Sequence, residues 1–184
     1  MQWLFGLLLV VVVVAFWVFS TYNGFISLKN KCEEAFSTMD VYLTKRYDMI
    51  PNLVETVKGY ASHERETLEN VIMARNMAVN AKTVEDKIAA EQGLAGTLGR
   101  LFALGEAYPD LKANANFLDL QSQLQLMEAE IANSRKYYNG VVKMFNIKTE
   151  QFPSNIIANM FGFARRPLFE VTEAAQRENV KVQF

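Results

Sequence analysis

One cysteine and one histidine are all that 184 residues contain. Cys32 alone cannot close an intrachain disulfide, and His63 alone leaves a zinc site short of its usual nitrogen and sulfur ligands. Neither sign of charge is in excess, since 19 basic and 20 acidic residues leave a formal charge of −1. That balance gives no electropositive footprint for a nucleic-acid backbone and no acidic surplus pointing to disorder, so no nucleic-acid partner is expected. Strand signals are also scarce. No window alternates apolar and polar positions with β-branched enrichment, and Val180 to Phe184 is the one stretch that could serve as a strand. What the chain does have is apolar residues, 51% of the total, and 21 of them lie in residues 1–28, which carry no charge. The length suits one anchored domain and is too short for an anchor with two independent cores.

Trp3 to Phe19 reads as seventeen uncharged residues, near the lower limit for a helix crossing a ~30 Å hydrocarbon core. Trp3 and Tyr22 are about 28 Å apart on a helix, so both can lie at headgroup depth as interfacial aromatics, with Trp17 slightly deeper. A cleaved signal peptide would want a basic start and small residues after the apolar run, and neither is present. The expected organisation is a transmembrane anchor over residues 1–22, a helical bundle over 23–152, and a C-terminal amphipathic segment with a tail over 153–184. Lys29 and Lys31 favour a cytoplasmic body with the N-terminus outside.

The body reads as all-α. Phe25, Leu28, Cys32, Phe36, Met39, Leu43 and Tyr47 recur in steps of three or four and continue the membrane helix. Pro51 is expected to end that run and open the next, because it lacks an amide hydrogen and clashes with the preceding turn. A second stripe follows through Leu53, Val57, Tyr60, Leu68, Val71 and Ala78, interrupted by Glu64 and Arg75. Thr83 to Asp86 resembles a capping box opening a third helix, whose end Gly105 and Pro109 bracket. The fourth segment carries a heptad seam through Phe117, Leu120, Leu124, Met127, Ile131, Ser134, Tyr138, Val141 and Phe145. Four antiparallel helices of this kind make an up-and-down bundle, each stripe buried against the other three.

Parity brings the end of the fourth helix back toward the bilayer. Residues 154–166 then have two readings, a short helix packed over the end of the bundle, or an interfacial helix with Phe161 and Phe163 in the membrane surface and Arg165 and Arg166 at lipid headgroups. Residues 170–184 read as a loosely held tail.

The chemistry-bearing residues point away from catalysis. His63-Glu64-Arg65-Glu66-Thr67 begins like a zinc-protease helix but lacks the second histidine. Gly93, Gly96 and Gly99 follow no strand and precede no Gly-Lys-Ser/Thr, so they read as places where another helix backbone comes close in a pliant third helix. Arg46, Asp48, Lys58, Glu64 and Arg75 could form an acid–base set, but no activated nucleophile accompanies them, and ion pairing at a helix corner is the expected use. On that reading, loss of Arg46 or Asp48 costs stability rather than activity. Cys32 falls on the apolar stripe as a small buried hydrophobe. No enzymatic activity and no cofactor are expected.

The stretch Arg46-Tyr47-Asp48-Met49-Ile50-Pro51-Asn52-Leu53-Val54-Glu55-Thr56-Val57-Lys58-Gly59-Tyr60-Ala61-Ser62-His63-Glu64 closely resembles the signature of the LemA family of bacterial membrane proteins. So do Ala74-Arg75, the run from Glu106 through Tyr108, Pro109 and Asp110 to Asn114, Ser134 to Asn139, and Phe152 to Ala158. Phe36 departs from the family, which often has tryptophan there. The resemblance implies a single membrane helix in a bacterial inner membrane, an N-out four-helix bundle, no established enzymatic activity, and membrane shaping or scaffolding as a family-level possibility. A fourth helix longer than the third predicts part of its seam unpaired and hence self-association. The expected partners are therefore the lipid bilayer and further copies of the chain, with an unidentified membrane protein as the alternative for a monomeric accessory subunit.

Overall fold

The computed structural model describes residues 2–170; the expected tail beyond residue 170 and the strand candidate Val180–Phe184 lie outside the described residues. The regular elements of the described residues are all helices: α1 (Gln2–Lys58), α2 (Arg65–Asn80), α3 (Val84–Ala107), the single turn α4 (Pro109–Lys112), α5 (Ala115–Glu150) and α6 (Ser154–Phe161). The apolar start of α1 is long enough to cross a membrane and has none of its surface buried within the chain.

Two compact units divide the fold. The first joins residues 2–40 of α1 to residues 132–150 of α5, α6 and the segment up to Leu168. Phe25, Cys32, Ala35 and Met39 form its α1 face, and Ser134, Tyr138, Val141, Val142 and Phe145 its α5 face. Burial raises the Cys32 thiol above its ordinary pKa, the Arg166 charge opposing and the Glu33 charge reinforcing that shift, so the group stays protonated as the sequence pattern required.

Residues 162–168 form a strap along this pair. Phe163 stacks on Phe25 with ring centroids 4.7 Å apart, and Phe145 meets Phe25 edge-on at 5.9 Å. Asn146, buried on α5, donates from Nδ2 to the Arg166 carbonyl and accepts the Arg166 amide at Oδ1, both at 2.9 Å. Tyr138 adds a hydrogen bond from its hydroxyl to the Pro167 carbonyl. Asn146→Leu keeps the volume but removes both amide-type bonds. Tryptic cleavage after Arg165 is then expected to accelerate about tenfold, because proteolysis tracks the population of the opened segment. An unchanged cleavage rate would show that the aromatic contacts alone hold the strap.

The second unit contains residues 41–58 of α1, all of α2, α3 and α4, residues 115–131 of α5, and Phe169 with Glu170. Here four helical segments share one core, with Leu43, Ile50, Leu53 and Val57 from α1, Leu68 and Val71 from α2, Leu94, Leu98 and Leu101 from α3, and Phe117, Leu124 and Ile131 from α5. Thr83 accepts the Asp86 amide at 3.0 Å and starts α3 as its capping signal required. Asn114 does the same for α5 through the Phe117 amide at 2.9 Å.

Four expectations need correction. The four-helix arrangement belongs to the second unit; in the first, the α5 seam packs against α1, α6 and the strap. The seam is largely covered, because Phe117, Leu124 and Ile131 are buried in the second unit and Ser134, Tyr138, Val141 and Phe145 in the first, with Leu120 and Met127 half-buried. In each unit its partner is a stretch of α1. Gly93, Gly96 and Gly99 face open space; the glycines that meet other groups are Gly105, where a Cβ would come within 2.8 Å of the Phe117 ring, and Gly24, beside the Lys148 ammonium. α3 ends at Ala107, between Gly105 and Pro109 as the sequence bracketed it.

The fourth correction concerns Pro51, which does not end α1. Proline cannot donate to the carbonyl four residues back, here that of Tyr47. Arg75 on α2 donates its Nε–H to this carbonyl at 3.1 Å. A guanidinium from the next helix thus replaces the missing amide, and the helix runs on for two more turns.

Candidate functional site

Arg46 and Tyr47 sit on the buried face of α1 in the second unit, each at most 3% exposed. Both reach Glu91 on α3: the Arg46 guanidinium pairs with one carboxylate oxygen and the Tyr47 hydroxyl donates to the other. A second guanidinium nitrogen of Arg46 bonds Glu128 of α5 at 2.6 Å. Glu91 is 3% exposed, whereas Glu128 is half exposed. Burial alone would depress the Arg46 pKa, but the two carboxylates outweigh it and hold the group above its ordinary value. This network joins three helices across the core. An ion pair so deep contributes little net stability over an apolar replacement, but it fixes which faces meet, because each charge left alone there is costly.

Arg75 of α2 meets α1 beside this network, bonded to the Tyr47 carbonyl and 3.9 Å from Asp48. Asp48 is 69% exposed, so its contribution to the corner is small beside that of Arg46. Lys58 and Glu64 are not part of this group. Lys58 is exposed beside Glu55, and Glu64 accepts a hydrogen bond from the Tyr108 hydroxyl at 3.2 Å. Burial, followed by the Glu64 carboxylate, raises the Tyr108 phenol above its ordinary pKa. Tyr60 accepts from Asn114 at 2.8 Å. His63, Asn52 and Pro109 are exposed, and among the described residues no three His, Cys, Asp or Glu side chains gather as a metal site.

Two sequence motifs far apart in the chain therefore meet at one end of the second unit. Tyr60 and Glu64, from the first, bond to Asn114 and Tyr108, from the second. The LemA family model matches residues 35–184. The chain belongs to the LemA family. Among its relatives are magnetosome protein MamQ 2 of Paramagnetospirillum magneticum, 25% identical over 189 aligned residues that cover 89% of this chain and 70% of that protein. MamQ of Magnetospirillum gryphiswaldense is 23% identical with the same coverage. Protein LemA of Metamycoplasma hominis is 26% identical over 149 residues, 79% of this chain and 67% of that protein. Together with the apolar start of α1, this places the LemA-family chain at a membrane.

Sequence reasoning did not find Glu91 and Glu128. The signal for Glu91 was present: it falls on the same α3 stripe as Leu94, Leu98 and Leu101, where a carboxylate needs a partner, and Arg46 interrupts the α1 stripe between Leu43 and Ile50. Pairing the two across helices required the packing.

The membrane-facing candidates separate at the other unit. Trp3 is bare and Trp17 half-buried. The Tyr22 ring lies 4.8 Å from that of Phe161 and 5.8 Å from that of Phe163, which the strap carries into the aromatic core. Arg165 pairs with Glu150 at 2.7 Å, at the end of α5. Arg166 pairs with Glu33 at 3.0 Å, eleven residues past Tyr22 on α1 and so about 16 Å along the helix. The strap turns Arg166 away from the span, and a headgroup position for it does not follow.

Proposed function

We propose that this LemA-family chain is a non-catalytic, membrane-anchored scaffold that assembles with further copies of itself and organises the membrane around it. The observation that carries the reading is a second apolar stripe on α5, on the side opposite its intrachain seam. Tyr137, Met144 and Ile147 are each about half exposed, and Gly140 between them meets no neighbouring atom. The spacing 137, 140, 144, 147 is a heptad register of its own, and a glycine at its centre lets another helix approach closely. Membrane tethering confines such surfaces to two dimensions and favours their meeting. Support for a non-catalytic role comes from the charged side chains, since Arg46, Tyr47 and Glu91 are spent on one another in the core. Similarity to magnetosome proteins agrees with a role in organising membranes. Lys29 and Lys31 favour a cytoplasmic body.

Mass photometry of the full-length protein in detergent tests the assembly. A discrete oligomer is expected, and Met144→Glu should shift it to monomer by placing a charge in the stripe without touching the core. A monodisperse wild-type monomer overturns the reading. It would favour an accessory subunit that docks another protein, for which the second unit offers an open groove of about 840 Å³ lined by Pro51, Val54, Leu68, Ile72 and Met73.

A further inference from the structure

Helix α6 is amphipathic in a way that its own unit does not use up. Ile157 and Ala158 are buried, while Ile156 and Met160 are 47% and 69% exposed. Phe152, 75% exposed, lies in the turn just before α6. The outer side of α6 and the turn before it thus present three large exposed apolar side chains.

Its place on α1 identifies what it faces. Lys148, near the end of α5, puts its ammonium beside Gly24 and 4.8 Å from the centre of the Phe25 ring. The last residues of α5 are therefore level with Tyr22 to Gly24, where the apolar span ends. From there Ser154 turns the chain, its hydroxyl 2.7 Å from the Lys148 carbonyl and 2.8 Å from that of Gln151. α6 then closes against Tyr22 through Phe161. It lies across the membrane-proximal end of the α1–α5 pair, continuous with a span whose own side chains, Phe16 and Phe19 among them, are bare.

We propose that α6 rests in the bilayer interface, with Phe152, Ile156 and Met160 inserted among the upper acyl chains and Lys148 at the level of the lipid phosphates. Two turns of helix would bind a membrane weakly if free in solution. Here the span holds them at the surface, so insertion is an intramolecular step at high effective concentration and needs little intrinsic affinity. The contact sets the depth and tilt at which the body sits. It replaces the two arginines as the membrane-contact group, since both have carboxylate partners. It also stands apart from the assembly proposed above, whose stripe is on the outer face of α5.

The test uses the full-length chain with Cys32→Ala and single cysteines introduced at Ile156, Met160 and, for reference, Lys136, each labelled with an environment-sensitive fluorophore. The protein is reconstituted into vesicles of phosphatidylcholine and phosphatidylglycerol, with or without lipid bearing a nitroxide high on its acyl chain. All three positions are at the surface, so the labels leave the fold intact, and Phe152 supplies a further exposed position. Emission at 156 and 160 is expected to fall about twofold with nitroxide lipid, as for groups buried roughly 5–10 Å into the interface, and to resist aqueous iodide. Emission at 136 should respond only to iodide. Iodide quenching at 156 and 160 equal to that at 136, without a lipid effect, overturns the proposal. Protection from both quenchers that grows with protein density would mean that these side chains face another copy, and overturns it as well. A monomeric protein whose labels at 156 and 160 respond to lipid would retain this contact while the assembly fails.

Discussion

Replacing Arg46 by methionine is expected to cost about 3–5 kcal/mol of stability, because Glu91 is then left in the core with only the Tyr47 hydroxyl. For a body of this size the unfolding midpoint should fall by roughly 10 °C, read by circular dichroism of the full-length protein in detergent. The double variant Arg46→Met/Glu91→Leu should recover most of that loss, since an apolar pair of similar volume replaces the two charges and their desolvation. Asp48→Ala at the same corner should change the midpoint far less, given its exposure and its 3.9 Å separation from Arg75. If Arg46→Met melts like the wild type but the cell loses the protein's function, the network is a binding surface and not a packing device.

The second large effect is a coupling. Arg75→Ala removes the donor that stands in for the amide Pro51 lacks, and the expected cost is about 1–3 kcal/mol. In a Pro51→Ala background the helix regains its own amide at that position. There Arg75→Ala should cost at least ~1 kcal/mol less, a pairwise term that a double-mutant cycle isolates. Equal costs in both backgrounds would mean that Arg75 acts through Asn76 and Asp48 alone, and that some other feature carries α1 past the proline.

These two sites show how local rules can point correctly to a position and misread its outcome. Pro51 is a break by every nearest-neighbour criterion, and an isolated peptide would bend or stop there. The donor that reverses the outcome comes from residue 75, and no window along the chain contains both. The same holds for the seam of α5. Its heptad repeat was legible over its full length, and seven of the nine positions it named are buried, while Leu120 and Met127 are half-buried and Val142, Asn146 and Thr149 are buried beside it. Its expected exposure rested on comparing the fourth helix with the shorter third, whereas the neighbour that covers it is α1, which continues past Pro51 to Lys58.

Sequence alone determined the all-α class, the apolar span, the Thr83 cap, the burial of Cys32 and the family. Each of these depends on spacing and composition within a few turns of chain, where helical period and side-chain chemistry are sufficient. Tertiary structure alone decided that Arg46 meets Glu91, that Arg75 repairs α1, that Asn146 clamps the strap, and that Ile156 and Met160 stay exposed on α6 while Arg166 turns away. Those outcomes depend on which faces of distant helices come together. The requirement that buried charges and backbone groups find partners settles that choice, and it is met only once the chain has folded.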